Sequence, residues 1–269
     1  IYLKYTHCEI HPSLYLGSTS SNIPYAEHNQ GPRNMFNYSQ ARQGMGCYAT
    51  NGVGHNAKRI DTSYNLMHIQ RPLVMTQSMN YLNTINMPAG QNCIVAILTY
   101  TGYNQEDSVI INKSFIERGG LNCELFKKLE TNIEKNPDSS RDDIFMKPTK
   151  DRVIGMSDNN YDLLNDEGVI PEETNIKSGT IVIGKVSPIK SDNERSYKDS
   201  SIVYKSGNDG VIDKIFNNKD ADGYDLRVVK IRSQRPIVIG DKICSRHGQK
   251  GTCGIVLSVA DMPFNSNGI

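Results

Sequence analysis

Pro236-Ile237-Val238-Ile239-Gly240-Asp241-Lys242-Ile243-Cys244-Ser245-Arg246-His247-Gly248-Gln249-Lys250-Gly251, followed by Thr252-Cys253-Gly254-Ile255-Val256-Leu257-Ser258-Val259, sets two apolar runs on either side of a basic loop. Residues 236–239 and 253–259 have the β-branched composition of strands. The loop 240–251 is therefore expected to stand on a rigid β support. Inside it Lys242, Arg246 and Lys250 face only Asp241 as a fixed counter-charge. Glycines lie at both ends and in the middle, where the absence of a Cβ permits a sharp turn or close backbone approach. Such a loop suits the gripping of phosphates. It lacks the G-x-x-x-x-G-K-[ST] pattern and is not a P-loop. A solvated hairpin with ordinary surface lysines has the same residue types, so the rest of the chain has to decide between the two.

The chain carries 30 Lys and Arg against 29 Asp and Glu in 269 residues, a formal charge of +1. No global field draws it to nucleic acid or to a membrane surface. The distribution is uneven. Residues 227–250 hold seven basic side chains (Arg227, Lys230, Arg232, Arg235, Lys242, Arg246, Lys250) against Asp241, a local +6, whereas 124–167 holds eleven acids against seven bases, a local −4. A positive face and an acidic, solvated region are expected. The length fits one or two domains with a substantial core. Cysteines at 8, 47, 93, 123, 244 and 253 form no C-x-x-C pair, which argues against a structural zinc site of that spacing and for a reduced compartment. No signal peptide is recognisable, and no apolar run approaches the roughly 18–20 residues that cross a bilayer. The chain opens on Ile1 without a Met and stops soon after Asp261-Met262-Pro263-Phe264, so it is expected to be a piece of something larger.

In chain order, His7 and His11 have H-x-x-x-H spacing, but Glu9 is misplaced for a zinc-protease motif and Pro12 disfavours helix at His11. Structural hydrogen bonding is the expected role. Residues 33–45 are expected to form a helix with Met35, Tyr38, Ala41 and Met45 as an apolar stripe. Gly31-Pro32 precede it, so Arg33 stands near free backbone N–H groups, a combination that favours anions. Gly44, Gly46, Gly52 and Gly54 then break the run too irregularly for a dinucleotide fingerprint. Residues 93–98 form an unbroken apolar run, read as a strand buried on both faces. Gly102-Tyr103-Asn104-Gln105-Glu106-Asp107-Ser108 follows, then an apolar run at 109–111. Paired carboxylates on such a loop can hold Mg²⁺ directly or through water; capping of backbone groups is the plainer use. Residues 137–143 are the expected mobile loop. Strands are expected at 180–186, 203–212, 227–232 and 236–239. The D-x-D-G-x-D fragment at 220–225 departs from a calcium loop in its glycine and twelfth position.

Three of these stretches together, Gly31-Pro32-Arg33-Asn34 with Gln43-Gly44-Met45-Gly46, the segment from Gly102 to Ser108, and 240–251, resemble the second-largest subunit of multisubunit DNA-dependent RNA polymerases. Asp261-Met262-Pro263-Phe264 and Tyr5-Thr6-His7-Cys8-Glu9-Ile10-His11-Pro12 extend the likeness, which is stronger to the eukaryotic, archaeal and large-DNA-virus branch than to the bacterial one. It covers the whole chain as a central segment of a much longer subunit. The resemblance implies a mainly β, α+β fold: a double-psi β-barrel, the hybrid-binding region, with an inserted β-rich wall or flap. The implied domains are 1–17, tail of an external domain; 18–122, first part of the barrel; 123–236, wall or flap; and 237–269, second part of the barrel.

Residue by residue, the resemblance implies that Lys242 and Lys250 face the RNA 3′ end and the incoming nucleotide. Arg33 would reach the NTP triphosphate. Glu106 and Asp107 would lie beside a second catalytic Mg²⁺, with Asp107 closer to the metal or its waters. Gln43 and Arg246 would contact the RNA–DNA hybrid, and His247 and Gln249 would shape the loop. The principal metal ligands, an Asp triad, would belong to the largest subunit; no D-x-D-x-D run occurs here. The implied partners are that subunit and others of the polymerase, template DNA, the hybrid and NTPs, with no membrane and no zinc in this segment. The implied setting is intracellular: nucleus for a cellular eukaryote, cytoplasm or virion for an archaeon or a virus. The implied reaction is nucleotidyl transfer, which this chain would not perform alone. Two rival readings use the same residues. One is a nucleic-acid-binding module that tracks phosphates with the +6 stretch; the other is a metal-dependent phosphotransferase acting alone through Glu106 and Asp107.

Overall fold

The computed structural model describes residues 4–47, 60–135, 141–189 and 196–269. The described chain is mainly β, with some helix. In chain order it comprises α1 (Gly31–Ala41), β1 (Ser63–Leu66), α2 (Gln77–Tyr81), β2 (Ser108–Asn112), α3 (Lys113–Glu117), β3 (Cys123–Asn132), β4 (Ile144–Phe145) and β5 (Val153–Ile154). Then come β6 (Asn175–Ile176), β7 (Ile181–Ile183), β8 (Lys185–Pro188), β9 (Tyr197–Asp199), β10 (Ile202–Val203), β11 (Gly210–Lys219), β12 (Asp225–Arg235), β13 (Lys242–Cys244) and β14 (Lys250–Leu257). The chain divides into two compact units. One joins the N-terminal residues to Tyr64–Cys123 and Pro236–Ile269, and the other is Glu124–Arg235 with the short segment before Tyr64.

The second unit is built on the antiparallel pair β11–β12, flanked by β3 beside β12 and β6 beside β11. Its core gathers Ile170, Ile176, Val182, Ile183, Ile212 and Val229. A bulge between Ile212 and Lys214 leaves Asp213 outside the ladder. Its carboxylate lies 3.1 Å from the Arg232 guanidinium and 3.7 Å from Nζ of Lys230. Bulges re-aim a side chain in this way. Lys230 is fully buried, with Nζ 4.3 Å from the centre of the Phe126 ring. Burial lowers its pKa and Asp213 works against that shift.

Several strand expectations are met only in outline. Gly184 separates β7 from β8, and β10 is separated from β11, where single runs were expected. Residues 236–239 form no strand. Of the expected mobile loop, 137–140 lie outside the described residues. Asp143 at its end is buried and ion-paired with Lys185 at 3.0 Å. A polar composition signals solvation only when no buried counter-charge is available, and here Lys185 supplies one.

The first unit holds the three-stranded sheet β13-β14-β2, with β13 antiparallel and β2 parallel to β14. Ile111, Ile237 and Cys253 form its small core, with Val109, Phe115 and Ile243 against them. No closed barrel is formed among the described residues. Residues 93–98 do not form a buried strand: they have no ladder partner among the described residues, and Ile97 is 98% exposed. The run has the hydrophobicity of a core strand, but no facing layer covers it here. Helix α1 begins earlier than expected because Pro32, in the first turn, replaces an N–H that has no partner there anyway. It ends at Ala41, short of the glycines. Its expected stripe is reversed: Met35 and Tyr38 are exposed while Asn37 is buried. Periodicity finds two faces, but an inward polar face becomes legible only once its hydrogen-bond partners are known.

Candidate functional site

Lys242 pairs with Thr252, and Cys244 pairs with Lys250, across the β13–β14 ladder. Directly paired residues project to the same face, and so do residues two apart on a strand. Lys242 and Lys250 therefore share one face as a diagonal pair, with Cβ atoms roughly 7–8 Å apart. Cys253 and Ile243, of the other parity, pack into the core. Both lysines are exposed, and among the described residues no ion pair neutralises either. The face thus offers two free ammonium groups on a fixed spacing, which suits neighbouring phosphates.

The acidic loop is joined to the same sheet. Thr252 pairs in parallel with Ser108, and its N–H donates to the carbonyl of Asp107 at 2.8 Å. A Cβ on Gly254 would overlap the Tyr103 carbonyl, so glycine there lets the loop lie against β14. Asn104 closes the loop from within. Its amide donates to the Leu98 carbonyl at 2.7 Å and accepts from the Tyr100 N–H at 3.3 Å. Glu106 has φ 52, in the left-handed region. That region is costly for a residue with a Cβ and is held by its surroundings. Glu106 and Asp107 are both exposed. They fit a metal as part of a ligand set only: among the described residues no group of three His, Cys, Asp or Glu side chains could hold an ion. His7 and His11 instead bond to neighbours, His7 Nδ1 to Thr6 Oγ1 at 2.8 Å and His11 Nδ1 to the Ser13 N–H at 3.1 Å.

Arg33, in the first turn of α1, donates from Nη1 to the Gly248 carbonyl at 3.2 Å. Gly248 has φ +70, and a Cβ there would lie 2.5 Å from the carbonyl oxygen of Arg33. The helix start and the basic loop are therefore interlocked. Arg246 is half-buried, its Nη1 and Nη2 donating to the carbonyls of Asn22 (3.3 Å) and Val74 (2.6 Å). Burial lowers its pKa. Gln43 is exposed beyond the end of α1. The structure thus brings Lys242 and Lys250 onto one face of a sheet, joins the Glu106-Asp107 turn to that sheet through the Asp107 carbonyl, and ties Arg33 to the turn between the lysines. Sequence reasoning missed Asn29 and Asn34, which hold that turn. The glycine at 248 was the available signal, because a mid-loop glycine marks close approach.

The sequence description RNA polymerase Rpb2, domain 6, matches residues 19–269. The chain belongs to that family. As a member of the Rpb2 domain 6 family it is 47% identical, over 100% of its length, to DNA-directed RNA polymerase subunit 2 of Acanthamoeba polyphaga mimivirus. It is 44% identical over 99% of its length to DNA-directed RNA polymerase II subunit RPB2 of Encephalitozoon cuniculi. It is 40% identical over 98% of its length to subunit Rpo2 of Saccharolobus solfataricus. The chain spans 22% of the first relative's length and 24% of each of the other two. Among the described residues no helix is long and apolar enough to cross a membrane.

Proposed function

We propose that this chain forms one wall of the active site of a DNA-directed RNA polymerase, holding the RNA 3′ end and the incoming NTP. The observation that carries the reading is the shared face of Lys242 and Lys250 beside the Asp107 loop, with Arg33 fastened to the turn between them. Lys242 and Lys250 neutralise backbone and nucleotide phosphates, and Arg33 binds the triphosphate. Orienting the two reactants in this way removes entropy from the barrier. The RNA 3′-oxygen bonds to the α-phosphorus as the bond to pyrophosphate breaks, and the hydroxyl proton passes to solvent. Bound Mg²⁺ supplies stabilisation of the attacking and leaving oxygens. Glu106 and Asp107 would contribute part of its ligand environment, and the largest subunit would contribute the rest. Arg246 is assigned to anchoring the loop, since its guanidinium is engaged by two carbonyls, and Gln43 keeps a hybrid-facing role on the strength of its exposure.

The first unit is assigned to the hybrid-binding double-psi barrel of the full-length subunit and the second to the wall. The parallel pairing of β2 with the distant β14, and the separate core of the second unit, support this. The phosphate-tracking module is disfavoured because the +6 stretch does not form one free face. Lys230 is buried, Arg232 is paired with Glu173 and Asp213, and Arg227 donates to the Glu167 carbonyl. A phosphotransferase acting alone predicts Mg²⁺-dependent NTP turnover by the isolated chain. The deciding test is Lys242→Ala or Lys250→Ala in the assembled enzyme. Nucleotide addition is expected to slow more than template binding weakens, and equal losses in both would refute a positioning role.

A further inference from the structure

We propose that His247, held by Asn29, is a positioning residue for Arg33, setting the orientation of its guanidinium and so the affinity for the NTP. The proposal rests on the nucleotide-binding role assigned to Arg33 above. It begins with a chain of hydrogen bonds whose direction is forced. The Ala26 carbonyl can only accept, so Asn34 must turn its Nδ2 toward it, at 2.9 Å. That leaves Oδ1 of Asn34 facing Asn29, which must answer with its Nδ2, at 3.1 Å. The same Nδ2 lies 3.0 Å from Nδ1 of His247. Nδ1 is therefore the acceptor of this bond, which places the ring proton on Nε2.

One residue further on, the Gly248 carbonyl receives Nη1 of Arg33, and the Gly248 backbone is buried against that of Arg33. Asn34 is the residue after Arg33 in α1. The network therefore closes a ring: helix start, Asn34, Asn29, His247, Gly248 and back to Arg33. Loss of the His247 acceptor frees the turn that presents the Gly248 carbonyl, and Arg33 loses its fixed orientation. Lys242 and Lys250 are held separately by the β13–β14 ladder, so their contribution should survive.

The test measures nucleotide addition by the assembled polymerase as a function of NTP concentration. His247→Leu, which deletes the acceptor, and Asn29→Ala, which deletes the donor, are each expected to raise the half-saturating NTP concentration roughly two- to tenfold, with the maximal rate little changed. His247→Asn is expected to restore most of the loss, because its Oδ1 falls near the position of Nδ1 and also accepts. In an Arg33→Ala background His247→Leu should add nothing. Additive effects of His247→Leu and Arg33→Ala, or a fall in maximal rate without a shift in half-saturation, would overturn the proposal. If His247→Leu does not assemble, Asn29→Ala decides alone, by the same comparison with Arg33→Ala. An unchanged NTP dependence in Arg33→Ala itself would instead remove the nucleotide role assigned to Arg33, and the positioning role with it.

Discussion

Gly248→Ala and Gly240→Ala make a matched pair that isolates the interlock between α1 and the basic loop. Both glycines are left-handed, with φ +70 and φ +94. An alanine at either site therefore carries a backbone cost of about 1–2 kcal/mol. The surroundings differ. A Cβ at Gly240 meets nothing within 4 Å, while a Cβ at Gly248 comes to 2.5 Å from the Arg33 carbonyl oxygen, against the 3.4 Å of ordinary contact. That oxygen belongs to helix backbone and cannot swing away like a side chain, so overpacking adds about 1–3 kcal/mol. The summed cost at Gly248 is then about 2–5 kcal/mol, enough to displace the turn and break the bond from Arg33 to the Gly248 carbonyl. In assembled enzyme, Gly248→Ala is expected to raise the half-saturating NTP concentration by about tenfold, as loss of one hydrogen bond to a charged group allows. Gly240→Ala should leave it close to wild type. The assay is nucleotide addition over an NTP titration, with thermal inactivation measured in parallel. Equal shifts for the two variants would refute the interlock, since backbone strain alone would then account for both.

Lys242→Ala should lower the slope of template-binding affinity against salt by roughly 0.7–0.9 on a log–log scale; Arg246→Ala should leave that slope unchanged because its guanidinium is held by the Asn22 and Val74 carbonyls. Replacing one member of the buried Asp143–Lys185 pair is expected to cost about 3–5 kcal/mol, whereas replacing both by apolar residues of similar volume should be near neutral, which thermal inactivation of the full-length subunit will distinguish. Burial, with the 2.5 Å hydrogen bond to Asp199, raises the pKa of Tyr161 above its ordinary value of 10.0. Its folded-state pKa is the higher one, so its contribution is intact below pH 10 and is lost as pH rises from there through the folded value. Tyr161→Phe should flatten the alkaline fall of stability by up to one proton, and an unchanged slope in an alkaline unfolding series would contradict the assignment.

Local chemistry alone determined much of this chain. The β-branched run at 253–259 specified most of β14, and Gly31-Pro32 placed the start of α1 to within two residues. Glu106-Asp107 with Lys242 and Lys250 were visible as charges beside glycines, because charge and glycine spacing are local properties, although both lysines stand on strands and not on a loop. The grouping of these residues was not legible in them. It depends on a parallel pairing of Ser108 with Thr252, which no turn residue encodes, because parallel partners are joined by long crossovers. The helix showed the limit most clearly: Met35 and Tyr38 signalled an apolar stripe, yet both are exposed while Asn37 is buried and Asn34 bonds to Asn29 and the Ala26 carbonyl, outside the helix. Likewise Arg246, one of seven cations in a basic stretch by sequence, is spent on two carbonyls that only the tertiary structure brings to it. Hydrophobic periodicity reports what a segment can bury, and tertiary pairing decides which of its groups find partners.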